Sequence, residues 1–350
     1  MSSRIDSAQM NKKILLVFTG GTIGSLVSHG CIKTTDSNSS VLLQLFNAHY
    51  PDSQRVQFKT IRPLNLLSEN LHPAVWQNLL TTITAEQPEQ YDGIIITHGT
   101  DTLSYTAAAL SFYFHALKVP LLLVSSDYPL SDSKANGWGN FSCAVDFISQ
   151  VAHAGVFVPY RNTGQSSYVH LGTRLISCLP LSNDFISIQH KSFLCYENRQ
   201  FTTINPLSTK PTHPLITLKP LFSKRVLLIR PYPGLNYQSF NLDQVDVVLH
   251  DLYHSGTACV ASEEGEDYSL LDFIDRCQQQ SVKIYLAPII KSDTAYLSTH
   301  QLIAAGANVI WNMTIEAAYV KLLLAYGNFT QALEIERFLA SHIAHEYIGV

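Results

Sequence analysis

Apolar residues fall into short runs and helical stripes that alternate along the chain, and this alternation predicts most of its elements. Lys13 to Phe18, Ile94 to Ile96 and Pro120 to Ser125 are nearly continuous apolar runs, the pattern of strands buried on both faces. Gly155 to Tyr160 and Tyr168 to Thr173 read as further strands, and Val56 to Arg62 as a shorter one. Residues 41–50, 74–84, 140–152 and the stretch from Ala107 through Phe112 to Phe114 carry apolar positions at helical spacing. Ser25 to Ser40 is polar and unpatterned, and reads as a long loop over the end of the first strand.

The pattern breaks between Asn205 and Lys224, where Pro206, Pro211, Pro214 and Pro220 stand among polar spacers as they do in a linker. It then restarts, with strands expected at 225–229, 245–249 and 284–289 and helices at 270–280, 300–306, 315–325 and 330–344. Strands alternating with helices predict an α/β protein. A larger N-terminal domain, a doubly wound and mostly parallel sheet over 11–204, would be joined by a linker at 205–224 to a smaller C-terminal α/β domain over 225–350. A chain of 350 residues is long enough for two such cores.

Polar residues concentrate where predicted strands end, which in open parallel sheets is where ligands bind. The first strand closes with Thr19-Gly20-Gly21-Thr22-Ile23-Gly24. Its spacing is neither G-x-G-x-x-G nor G-x-x-x-x-G-K-[ST], so it is not a nucleotide fingerprint. The strand at Ile94 closes with His98-Gly99-Thr100-Asp101-Thr102, in which Asp101 or Thr102 can cap the helix that follows. A third turn, Leu67-Ser68-Glu69-Asn70-Leu71, precedes the helix at 74–84. Taken singly, these residues serve equally well as ordinary turn and cap residues.

Composition narrows the class. Hydrophobic content of 46% with 14% charged residues describes a packed globular chain. A net charge of -4 leaves no basic footprint, so nucleic acid is not expected as a partner. The six cysteines are scattered without C-x-x-C spacing, which suggests neither a metal site nor a redox pair and fits reduced thiols in a cytosol. The N-terminal residues are polar and no run of about 18 apolar residues occurs, so the expectation is a cytoplasmic protein with no membrane contact.

The two threonine-bearing turns in this order, with the serine turn between them, resemble the bacterial-type L-asparaginases, a group that includes glutaminase-asparaginases and an amidase component of tRNA amidation. Leu67 to Leu71 ahead of Trp76, Tyr232-Pro233-Gly234 and Asn312-Met313-Thr314-Ile315-Glu316-Ala317 extend the similarity over nearly the whole chain, nearest the cytoplasmic branch. The resemblance implies hydrolysis of L-asparagine to aspartate and ammonia without cofactor or metal. Thr22 would be the nucleophile, and Thr100 with Asp101 the second catalytic group. Gly21, Ser68, Glu69, Gly99, Thr100 and Asp101 would contact substrate, Ser68 and Asp101 at its α-carboxylate and α-amino ends. Glu69 would allow some use of glutamine, and a homodimer or homotetramer would be the assembly.

The chemistry agrees with that reading. A threonine hydroxyl attacks an amide only when a neighbouring group activates it. Backbone N–H groups at glycine turns suit the oxyanion that forms, each contributing about 2.7–4 kcal/mol. The chain departs from the family in three places. Cys31 stands where the lid loop carries a tyrosine, Leu171 to Ser177 has no lysine, and Thr257 replaces an asparagine. Arg174 is the cation of that second segment and stays protonated, so it cannot act as a base. His29 is then a candidate base and Cys31 a candidate surrogate nucleophile. A catalytically impaired relative that binds an amino-acid-like ligand is the alternative reading; the tRNA-linked amidase, lacking a basic face, is the third.

Overall fold

The computed structural model describes residues 11–21, 23, 25–28, 31–34, 38–207, 216–262 and 267–349, with only the backbone given for 25–28, 31–34 and 38–40. Among the described residues up to Thr203 there are ten strands: β1 (Lys12–Phe18), β2 (Ser25–Ser28), β3 (Cys31–Thr34), β4 (Val56–Ile61), β5 (Gly93–Thr97), β6 (Pro120–Val124), β7 (Gly155–Arg161), β8 (Ser167–Leu171), β9 (Leu194–Glu197) and β10 (Gln200–Thr203). Helices α1 (Asn38–His49), α2 (Pro73–Ala85), α3 (Leu103–Tyr113) and α4 (Gly137–Asp146) connect them. An eight-stranded sheet runs β10-β9-β8-β7-β6-β5-β1-β4. Its pairings from β4 to β7 are parallel and those from β7 to β10 antiparallel.

Alternation along β1 explains the layering. Leu15 and Val17 pack on one face with Trp76 and Leu79 of α2 and the alanines of α3. Ile14 and Leu16 pack on the other with Phe46 of α1 and Phe141 of α4. Helices on both faces of a mostly parallel sheet make the expected doubly wound arrangement. Ile94, Ile95 and Ile96 are fully buried, each contributing about 1.5–3 kcal/mol, which anchors β5 in the frame.

A second, wholly parallel sheet has the order β11-β12-β13-β14, from strands β11 (Val226–Ile229), β12 (Val247–His250), β13 (Lys283–Ile289) and β14 (Asn308–Trp311). Its helices are α5 (Leu270–Gln279), α6 (Leu297–Ala304), α7 (Ile315–Asn328) and α8 (Ala332–Ala340). The two sheets share a core: α7 packs on α3, and Val247, Leu249 and Tyr285 join the same apolar cluster as Leu15 and Ile96.

Several expectations are corrected. The loop at 25–40 contains the hairpin β2–β3, then α1 from Asn38. β9 and β10 were not expected; their turn at Asn198 and Arg199 has φ of 48° and 62°, and an arginine there hides the usual Asn-Gly signal. β14 is a short edge strand that its four residues do not announce. The helix expected over 330–344 stops at Ala340, after which the chain becomes a strap across both sheets. Thr173 Oγ1 donates to Ala344 O (2.9 Å), and Asn312 Nδ2 donates to Ile348 O (2.7 Å).

Candidate functional site

Register decides where the site lies. Phe18 at the end of β1 stands opposite Thr97 at the end of β5, so the turns that follow leave the sheet side by side. The chain runs from β1 outward to β4 and then returns to β5 on the other side of β1. Strand order therefore reverses between β1 and β5, and the crevice at their carboxyl ends is where such sheets bind ligands.

The two turns touch through glycine. A Cβ placed on Gly21, whose φ is +80°, would fall 2.5 Å from Gly99 N and 2.7 Å from Gly99 Cα. No side chain fits there, and the main chains of Gly21 and Gly99 approach each other closely. Thr19 Oγ1 donates to Thr97 O (2.6 Å), and Leu66 N donates to Thr19 O (3.1 Å), which draws the serine turn to the same corner. A Cβ on Gly99 would fall 2.7 Å from Ser68 Cβ, so this second glycine admits Ser68.

Ser68, buried, donates its hydroxyl proton to Asp101 Oδ2 (2.7 Å) and accepts the Asp101 N–H (3.3 Å). The expected capping of α3 is not what these residues do. Thr102 occupies the N-cap position, yet its hydroxyl donates to Ser68 O (3.0 Å), and the Asp101 carboxylate takes the Ser68 proton. Both side chains are spent joining turns that are 33 and 34 residues apart. Asp101 is exposed and acceptor-only, suited to an ammonium group. Glu69 is exposed on the same turn as Ser68, and Thr100 is half-buried beside Gly99.

Thr22, His29 and the Cys31 side chain lie outside the described residues. Arg174 is inside them and faces elsewhere. Its guanidinium donates to His345 O (2.7 Å) and Tyr347 O (3.0 Å), holding the C-terminal strap. Ser177, three residues on, donates its hydroxyl to Glu316 Oε1 (2.7 Å) and lies 3.3 Å from Ser104 Oγ. Thr257 closes its own turn with Ser255 (Oγ to Oγ1, 2.9 Å).

Beneath the corner lies a relay that sequence patterning does not reveal. Buried Trp76 donates its indole N–H to Thr106 Oγ1 (3.0 Å), Thr106 Oγ1 stands 2.9 Å from His98 Nε2, and His98 Nδ1 stands 2.7 Å from Gly99 O. Burial depresses His98 to about 4, so the ring is neutral. The Cys178 thiol is pushed up, first by burial and then by the negative charges of Asp184 and Asp101.

A larger cavity, about 620 Å³, opens at the carboxyl ends of β12 and β13 between His254, Ser255, Tyr296 and Thr299. None of its lining residues belongs to the three turns, which carry the hydroxyls and the carboxylate of the candidate site. Among the described residues no helix is long and apolar enough to cross a membrane.

Comparison with known proteins identifies the family. The sequence profile of the family described as "Asparaginase, N-terminal" matches residues 13–190. An L-asparaginase of Thermococcus kodakarensis is 26% identical over 96% of this chain and 99% of its own. The D component of a glutamyl-tRNA(Gln) amidotransferase from Methanosphaera stadtmanae is 28% identical over 96% of this chain and 76% of its own. Among solved structures, the thermostable L-asparaginase from Thermococcus kodakarensis superposes with a TM-score of 0.80 at 26% identity, covering 97% of this chain and all of the other. L-asparaginase I from Vibrio cholerae, at 23% identity, shares the fold with a TM-score of 0.78 over 97% of this chain and 99% of its own. With a profile spanning the β1 to β8 frame and both threonine turns, the chain belongs to the asparaginase family of amidohydrolases.

Proposed function

We propose that the chain hydrolyses the side-chain amide of L-asparagine, giving L-aspartate and ammonia, with glutamine as a slower substrate. The observation that carries this reading is the contact of Gly21 with Gly99, because each glycine is followed by a threonine. Thr22 attacks the carboxamide carbon, and the C–N bond breaks as the nitrogen takes up a proton and leaves as ammonia. Water then releases aspartate from the acyl-enzyme. Thr100 and Asp101 form the second hydroxyl–carboxylate group, and N–H groups at the Gly21 and Gly99 turns face the oxyanion. Asp101 receives the substrate's α-ammonium. Ser68 orients that carboxylate, since its own proton is already given to Asp101.

The second reading, a relative that binds an amino-acid-like ligand with little turnover, is favoured by one observation. Arg174 is committed to the C-terminal strap and Ser177 to Glu316, so neither offers a base to Thr100. Missing a general base slows a reaction by about 10²–10⁴-fold without abolishing it, which keeps hydrolysis first.

The division at 205–224, a cytoplasmic location and a homodimer or homotetramer belong to the same proposal. The amidotransferase relatives are named as components of a larger enzyme, which makes a dedicated partner protein the competing assembly. Ammonia release from asparagine and glutamine tests the reaction, with Thr22→Ala and Thr100→Val beside wild type. Turnover by wild type with a loss of about 100-fold or more in both variants supports it. Equal, near-zero release from all three, with aspartate still bound, establishes the binding-only relative.

A further inference from the structure

We propose that Trp76, Thr106 and His98 form a positioning relay that aims the Thr100 backbone N–H into the site. This inference deepens the amidase reading and rests on it. The hydrogen-bonding capacities of the three groups leave a single arrangement. An indole N–H only donates, so Thr106 Oγ1 accepts from Trp76. A backbone carbonyl only accepts, so the proton between His98 and Gly99 O resides on Nδ1. A neutral imidazole carries one proton, which leaves Nε2 as an acceptor and makes the Thr106 hydroxyl its donor. The chain of donation runs one way, from Trp76 through Thr106 and His98 to the Gly99 carbonyl.

That carbonyl shares a peptide plane with the Thr100 N–H. In a trans peptide the two point in opposite directions. A carbonyl held inward on His98, itself 3% exposed, therefore turns the Thr100 N–H outward, away from the core and toward the crevice between the turns. No hydrogen bond joins the Thr100 N–H to another described residue, and in this orientation a developing oxyanion is the acceptor it would meet. His98 N donates to Val124 O (2.9 Å), which fixes the other end of the same residue to β6. His98 thus acts as a strut between the sheet and the corner, never touching the substrate.

The experiment separates hydrogen bonding from packing. Thr106→Val removes the relay at constant shape, and Thr106→Ser keeps it with one methyl less. With asparagine as substrate, Thr106→Val should lose about 10-fold or more in kcat with KM changed about two-fold at most, while Thr106→Ser stays within about three-fold of wild type. Trp76→Phe, which removes the first donor alone, should fall between them. Nitrogen NMR of the wild-type protein should show His98 as the Nδ1–H tautomer near neutral pH, and Thr106→Val should mix the tautomers.

Equal kcat in the folded Val and Ser variants, or a wild-type His98 protonated on Nε2, overturns the relay. The tautomer reading does not require turnover. A wild-type protein that releases no ammonia yet shows the Nδ1–H form defeats the amidase proposal while the relay stands. If Thr106→Val does not fold, Trp76→Phe and the wild-type tautomer decide.

Discussion

Gly21 and Gly99 meet backbone to backbone, so closely that a methyl on the first would lie 2.5 Å from the amide nitrogen of the second. They are far apart in sequence, and the contact follows from the parallel pairing of Phe18 with Thr97 one turn below. Its consequence is chemical. In the proposed reaction, the threonines that follow each glycine in sequence would start from these neighbouring main chains and reach one small molecule without a long lever arm.

Gly21→Ala is therefore expected to disable the site. The alanine meets backbone atoms that cannot rotate away, at a φ of +80° that an L side chain rarely adopts. Overpacking of this kind costs about 1–3 kcal/mol, and the displaced corner should lower ammonia release on the order of 100-fold. Gly139→Ala in α4, where an added Cβ meets nothing within 4 Å, is the control and should match wild type in activity and melting temperature. An active Gly21→Ala protein would show that the two turns need not touch.

The C-terminal strap depends on a charge pair taken out of water. Lys321 Nζ lies 2.7 Å from Glu346 Oε1 with both side chains fully buried, and Glu346 also accepts the N–H groups of Ile343 and Ala344. Burial alone would push the Glu346 carboxyl up; the Lys321 ammonium outweighs it and holds the carboxyl below its usual range. Lys321→Met, which strands the carboxylate, should cost about 3–5 kcal/mol in urea unfolding, and Lys321→Met with Glu346→Leu should recover most of that loss. A double variant no more stable than the single one would contradict this account.

Acid should weaken the fold well before its carboxylates titrate. His98, His170 and His250 are each depressed by burial from 6.5 to about 4. The unfolded chain takes up these protons near pH 6.5 and the folded chain refuses them until near 4. Their contribution is therefore whole above pH 6.5 and is lost as pH falls through that window. The slope is at most about 1.4 kcal/mol per pH unit for each histidine. Urea midpoints should decline from pH 6.5 to 4.5, less steeply in His170→Gln. A flat profile across that range would show that the rings are already charged or exposed.

Much of this protein was legible in its residues because the signals are local. Three apolar residues in a row at Ile94 announce a strand buried on both faces, and two glycine turns with threonines mark the ends that matter. The alternation of strands and helices pointed to an α/β chain, and the resemblance of its turns pointed to the family. Short edge strands such as β10 and β14 stayed hidden, because four half-exposed residues carry little pattern and acquire their conformation from a neighbour.

The roles of individual polar groups were decided by tertiary structure alone. Asp101 and Thr102 have the composition of helix caps, yet they bond across to Ser68, because sheet register puts a better partner within reach. Arg174 sits in the segment where the family's lysine was expected and turns instead to His345 and Tyr347, whose carbonyls accept its hydrogen bonds. Residues by themselves determined which groups could do chemistry. Which of them face each other followed from how β1, β4 and β5 are ordered, since a hydrogen bond requires a separation near 3 Å that no spacing along the chain can specify.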